Sequence, residues 1–185
     1  MVLIDDREVA VIGRTDKDYV YTPSTSTYWW NSNDHKLDII VENNGRWNGG
    51  GGMNNDRKGL WGNVVIDDKA VSKYTIYPME FKEKYVEELK QMKWKPIGGV
   101  IGPALFRVEL LIKDKPRDTF LRLDNWKKGN VFVNGFNIGR YNEVGPQKTL
   151  YVPAPLLKTG ANDIYIFELH SGVPDINFVD KPDLG

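Results

Sequence analysis

The chain has 185 residues, enough for one large or two small domains, with 41% hydrophobic and 12% aromatic residues to build a core. Its 25 basic and 25 acidic residues cancel, which points away from nucleic acid and from an anionic membrane surface as partners. No apolar run approaches the ~20 residues of a membrane span, no signal-peptide pattern follows Met1, and there is no cysteine from which to read a redox compartment.

In chain order the sequence predicts a turn-rich β protein. Residues 1–14 read as a hairpin, and residues 15–36 as a polar loop that carries Tyr28-Trp29-Trp30. Residues 37–43 read as a strand, and 44–55 as a loop holding four consecutive glycines, Gly49 to Gly52. Two short strands are expected at Gly62–Ile66 and Val71–Tyr77. A single helix follows, with Pro78 placed in its first turn and Phe81, Tyr85, Val86, Leu89 and Met92 on one face. Lys95-Pro96-Ile97-Gly98-Gly99 ends it. Strands are then expected at Phe106–Ile112 and Thr119–Leu123. Val131–Val133 and Phe136–Ile138 flank Asn134-Gly135, a dipeptide that accepts positive φ at both positions and so predicts a tight hairpin turn. Thr149–Val152 and Asp163–Leu169 complete the strands.

The pattern occurs twice. Val2-Leu3-Ile4-Asp5-Asp6 followed by Ile12-Gly13-Arg14 matches Val131-Phe132-Val133-Asn134-Gly135 followed by Ile138-Gly139-Arg140. At similar spacing, Leu37–Glu42 matches Asn162–Glu168. Repeated order and spacing predict two copies of one unit. The second copy has strands ahead of its hairpin and the first does not, so the first is expected to lack its front. The resulting domain reading is a partial first sandwich over 1–77, a helix-containing connector over 78–99, and a second sandwich over 100–185.

Few residues form a catalytic pattern. Asp5-Asp6, Asp67-Asp68 and Glu87-Glu88 are neighbours in sequence, so their carboxylates diverge on a strand or a helix. They read as solvated charge. His35 and His170 have no cysteine nearby, and no metal or cofactor is expected. The aromatics carry the binding signal. An indole stacks on the apolar face of a pyranose, and planar polar side chains take its hydroxyls. Trp29, Trp30, Arg46, Trp47, Asp56 and Trp61 are therefore the candidate sugar-binding residues.

The segments DTFL, Trp126-Lys127-Lys128-Gly129, VNGFNIGRY, GPQ-x-TLYVPAP and the closing FEL resemble the last β-sandwich domain of the β-galactosidases of glycoside hydrolase family thirty-five. Residues 37–60 resemble that family's first sandwich. The resemblance implies jelly-roll sandwiches of the galactose-binding-domain type. It also implies an enzyme whose two catalytic glutamates sit on a (β/α)₈ barrel, and one helix is far too little for such a barrel. The chain alone is thus expected not to be an enzyme. It is expected to be a carbohydrate-binding or scaffolding module, or the C-terminal portion of a β-galactosidase that acts only with a barrel-bearing polypeptide. A second copy of the chain or that polypeptide would complete the first unit. The resemblance further implies a secreted or lysosomal setting. Two positions depart from the family's pattern. Gly49 stands where the family has a tyrosine that reaches the barrel's galactose pocket, and Asn142 stands where the family's Gly-Arg-Tyr is followed by tryptophan.

Overall fold

A computed structural model of the chain describes residues 1–13, 34–46, 48–56, 58–66, 68–96, 100–173 and 175–185. It divides into two compact units, Met1–Ile76 and Tyr77–Gly185. Strands dominate both, and the described residues contain one α-helix, so the fold is all-β.

In the first unit, β1 (Val2–Ile4) lies between β2 (Arg7–Ala10) and β3 (Leu37–Ile39), antiparallel to both. Asp5 and Asp6, with φ of 49° and 62°, make the two-residue turn whose twist suits a hairpin. Leu3 and Ala10 are buried. A separate two-stranded ladder joins β4 (Val65–Ile66) to β5 (Lys69–Ala70). These strands are shorter than the sequence predicts. No strand forms over 71–77: after the Val71 N–H to Val64 carbonyl bond no partner strand continues the ladder, and Tyr74 and Ile76 are exposed.

The second unit is a sandwich. One sheet has the order β10-β9-β12-β7, built from β7 (Ala104–Ile112), β9 (Lys128–Val133), β10 (Phe136–Asn142) and β12 (Gly160–Glu168). It faces a sheet of order β11-β8-β14, built from β8 (Thr119–Arg122), β11 (Thr149–Val152) and β14 (Asn177–Val179). A short pair, β6 (Val100–Ile101) with β13 (Ser171–Gly172), lies beside them. Phe106, Leu121, Trp126, Val131, Val133, Leu150, Val152, Ile164 and Ile166 fill the space between the sheets. Successive strand residues face opposite ways. Phe132 and Tyr165, alternating with that core, therefore point out of the sandwich, yet they too are fully buried.

The cover is α1 (Glu83–Lys90) and its flanks. Val86 and Leu89 face the sheet at helical spacing, and the Phe81 ring meets Tyr85, Phe132 and Phe167 at centroid distances of 5.3–5.5 Å. The helix begins later than Pro78 suggests, because Phe81 takes a positive φ of 53° and Lys82 is extended as N-cap. Met92 lies past the helix end and is half exposed, and Trp94 takes its place by packing on Tyr165. Leu89→Ala is expected to cost about 2–3 kcal/mol by leaving a void between helix and sheet. Urea unfolding followed by circular dichroism checks it, and a change below about 0.5 kcal/mol would match only a surface position.

The sequence repeat is visible as geometry. The order β2-β1-β3 reappears as β10-β9-β12, and both hairpins turn on two residues of positive φ. Asp5 exchanges backbone bonds with the strand beside it, donating its N–H to the Lys36 carbonyl while its carboxylate accepts the Lys36 N–H at 2.9 Å. Asn134 does the same with Asp163, and its Oδ1 accepts the Asp163 N–H at 3.0 Å. A short acceptor side chain at the first turn position thus clasps the third strand in both copies.

Candidate functional site

The sequence-predicted sugar residues fall in the first unit. Trp29, Trp30 and Trp47 lie outside the described residues. Arg46 is exposed, and Trp61 is 69% exposed. Asp56 follows a one-turn 3-10 helix (Met53–Asn55) and ion-pairs with Lys58. Gly49 is exposed, in open space. Several other large apolar side chains of the first unit are exposed as well. Leu60 is 57% exposed and Ile76 84%, with Val65 and Ile66 about half exposed.

The second unit holds a cleft of about 400 Å³ that the sequence did not single out. Three segments form it: the turn after β8 (Asp124, Asn125, Trp126, Lys127), the end of β10 (Tyr141, Asn142, Glu143), and Gln147-Lys148 before β11. Arg122 and Asp183 close one side. Arg122 donates from Nε to the Asp124 carboxylate at 2.9 Å and from a terminal nitrogen to Asp183 at 3.1 Å. Lys127 pairs with Glu143.

Beneath the cleft sits a buried carboxylate. Glu168 ends β12 with no exposed surface. It accepts N–H bonds from Lys127 at 2.9 Å, from Lys128 at 3.2 Å and from His170 at 2.8 Å, plus the Tyr141 hydroxyl at 2.9 Å. Burial, and then the nearby Glu168 charge, push the Tyr141 phenol far above its usual range, so it stays a donor. Trp126 packs edge-on against Phe106 and Tyr141, and its indole N–H donates to the Asp175 carbonyl at 2.9 Å. The cleft floor is therefore fixed by hydrogen bonds and ring packing. The signal for it in sequence is indirect, since Trp126, Tyr141 and Glu168 all lie in the segments that carry the family resemblance.

Among the described residues no group of His, Cys, Asp and Glu could hold a metal ion. No described helix is long and apolar enough to cross a membrane. Fold and surfaces together define an all-β chain of two units, the second a jelly-roll-like sandwich. Two family models match it: the first all-beta domain of beta-galactosidase over residues 1–80, and its galactose-binding domain over 103–162. Human beta-galactosidase-1-like protein 2 is 41% identical over 150 residues, covering 80% of this chain and 24% of the relative. Human beta-galactosidase-1-like protein 3 is 37% identical over 184 residues, covering 99% and 27%. Mouse beta-galactosidase is 36% identical over 171 residues, covering 79% and 26%. The chain belongs to the β-galactosidase family and corresponds to its C-terminal β-sandwich region. It spans about a quarter of the length of these relatives.

Proposed function

We propose that the chain is a non-catalytic β-galactosidase-like scaffold that docks a barrel-bearing polypeptide of the same family, in a secreted or lysosomal setting. The observation that carries this reading is the exposed apolar stretch of the first unit, Leu60, Trp61, Val65, Ile66 and Ile76. Large apolar side chains left exposed suit an interaction face. Relatives that run to about four times this length supply the kind of polypeptide that would cover it. Retaining glycoside hydrolysis needs two carboxyls about 5–5.5 Å apart across the scissile bond, and that pair is assigned to the partner.

The purified chain is expected to give no turnover of an aryl β-galactoside. It is expected to form a one-to-one complex, by light scattering, with the separately expressed barrel of a β-galactosidase. Replacing Trp61 and Ile76 together by serine should weaken that complex by about tenfold or more and leave the circular dichroism spectrum unchanged. Turnover by the chain alone, or no complex with the barrel, overturns the reading. A homodimer broken by the same substitutions would instead make a second copy the partner. The exposure of Trp61 also favours a second reading, galactoside binding on the Arg46–Trp61 loop. In that case Trp61→Ala abolishes signal on a galactoside array without unfolding the chain.

A further inference from the structure

We infer that β7, the open edge of the second unit's larger sheet, pairs with β7 of a second copy of this chain and joins two sandwiches about a two-fold axis. The pairing uses no residue of the docking surface proposed on the first unit. In the order β10-β9-β12-β7, β7 has a strand on one side only, and among the described residues no backbone bond reaches its other side. Its partner strand decides which groups are left over. Asp163 of β12 turns its N–H and C=O toward Asn134, on the β9 side. Backbone groups alternate sides along a strand, so Asn162, Ile164 and Ile166 bond to Leu110, Val108 and Phe106. Leu105, Arg107, Glu109 and Leu111 therefore point their N–H and C=O groups outward along the edge. Nine residues at ~3.4 Å each make this edge about 30 Å long, and such an edge is a template for another strand.

Self-complementarity selects the occupant. Two copies of β7 can be set antiparallel with Val108 on the two-fold axis. Arg107 then stands opposite the second copy's Glu109, and Leu105 opposite the second copy's Leu111, each pair occurring twice by symmetry. All of these residues carry outward-facing backbone groups, so each is a hydrogen-bonded pair. Sliding the register by two residues sets Arg107 against Arg107, or Glu109 against Glu109, and like charges directly opposite are destabilising. A slip of one residue sets outward-facing groups against inward-facing ones.

The charges on this face are also unevenly met within one copy. Glu109 is exposed, and among the described residues it makes no ion pair or side-chain hydrogen bond. It lies directly opposite Asp163, a second carboxylate. Arg107 gives its Nε and one terminal nitrogen to Asp163, at 3.1 and 2.7 Å. The other terminal nitrogen is left for a further carboxylate, and the two-fold register supplies the second copy's Glu109. Leu111, 62% exposed, meets the second copy's Leu105 in that register. Both ends of the contact are thus apolar and its centre is charged, and the charges fix the register.

The test is sedimentation of the full chain from about 1 μM to about 500 μM, where a dimer with a Kd on the order of 10 μM is expected. Glu109→Arg sets arginine against arginine across the axis and should weaken association by about tenfold or more. Arg107→Glu combined with Glu109→Arg restores opposite charges in the same register and should recover the parent's Kd to within about threefold. Trp61→Ser with Ile76→Ser should dimerise as the parent does. Circular dichroism checks that each variant keeps its fold. Amide hydrogen exchange of the parent decides the face whatever the variants' stability. The N–H groups of Arg107 and Glu109 should gain protection as concentration rises, whereas that of Val108 is protected by β12 throughout. The pairing is overturned by a chain that stays monomeric, by a dimer that Glu109→Arg leaves intact, or by a charge swap that associates no better than Glu109→Arg alone. Open-ended polymers, or protection at Arg107 and Glu109 that does not follow concentration, overturn it equally.

Discussion

Glu168→Ala is expected to destabilise the second unit by about 4 kcal/mol or more. Three backbone N–H groups and the Tyr141 hydroxyl converge on this one carboxylate at 2.8–3.2 Å, and its side chain is fully buried. A hydrogen bond to a charged group contributes about 1.5–3 kcal/mol, and each buried donor left without an acceptor costs about 1–3 kcal/mol. Alanine removes every acceptor at once and leaves a void that a water can fill only in part. Glu168→Gln tells charge from shape. It keeps the volume, but its NH₂ faces N–H donors, so a loss of about 2 kcal/mol is expected. Urea unfolding followed by circular dichroism measures both. If alanine costs less than glutamine, the carboxylate is not the organising acceptor.

The same network explains why certain words of the sequence belong together. Trp126 and Gly129, Tyr141 and Glu168 come from three segments that are far apart in the chain. In the fold they meet: Gly129 pairs across the sheet with both Tyr141 and Glu168, and Trp126 lies edge-on to Tyr141. The resemblance was legible in sequence because these contacts restrict residue type tightly. Asn134-Gly135 was legible for another reason, since few dipeptides accept positive φ twice in succession. Other features left little trace. Val131-Phe132-Val133 does not alternate in polarity, because the helix covers the face that would otherwise be wet. The strands β13 and β14, at Ser171–Gly172 and Asn177–Val179, are too short to stand out. The helix start was misplaced because a positive φ at Phe81 is a tertiary effect, held by three surrounding rings. The cleft was not legible at all. Its walls are polar loop residues with no periodicity, and only the fold brings Asn125, Asn142 and Gln147 to one place.

Gly129→Ala is the other severe change to expect, although it adds a single methyl group. A β-carbon on Gly129 would stand 1.7 Å from the Phe167 carbonyl oxygen and 2.8 Å from the Tyr141 hydroxyl. The first of these neighbours is backbone in a central strand, so no rotamer change relieves the contact. Either β9 and β12 separate at this level, with loss of the Glu168–Gly129 register, or the strand bends and pulls Lys127 and Lys128 off the Glu168 carboxylate. Overpacking a tight interior typically costs about 1–3 kcal/mol. Here the obstacle is an unyielding carbonyl and the hydrogen-bond network is damaged as well, so the cost should exceed about 3 kcal/mol. Gly49→Ala is the control, because an added methyl there meets nothing within 4 Å, and it should change stability by less than about 0.5 kcal/mol. Denaturation midpoints of the two variants against the parent decide the point. Near-equal midpoints would mean that the strand pair relaxes cheaply. The glycine would then not be what holds the carboxylate, the tyrosine and the tryptophan of this junction in register.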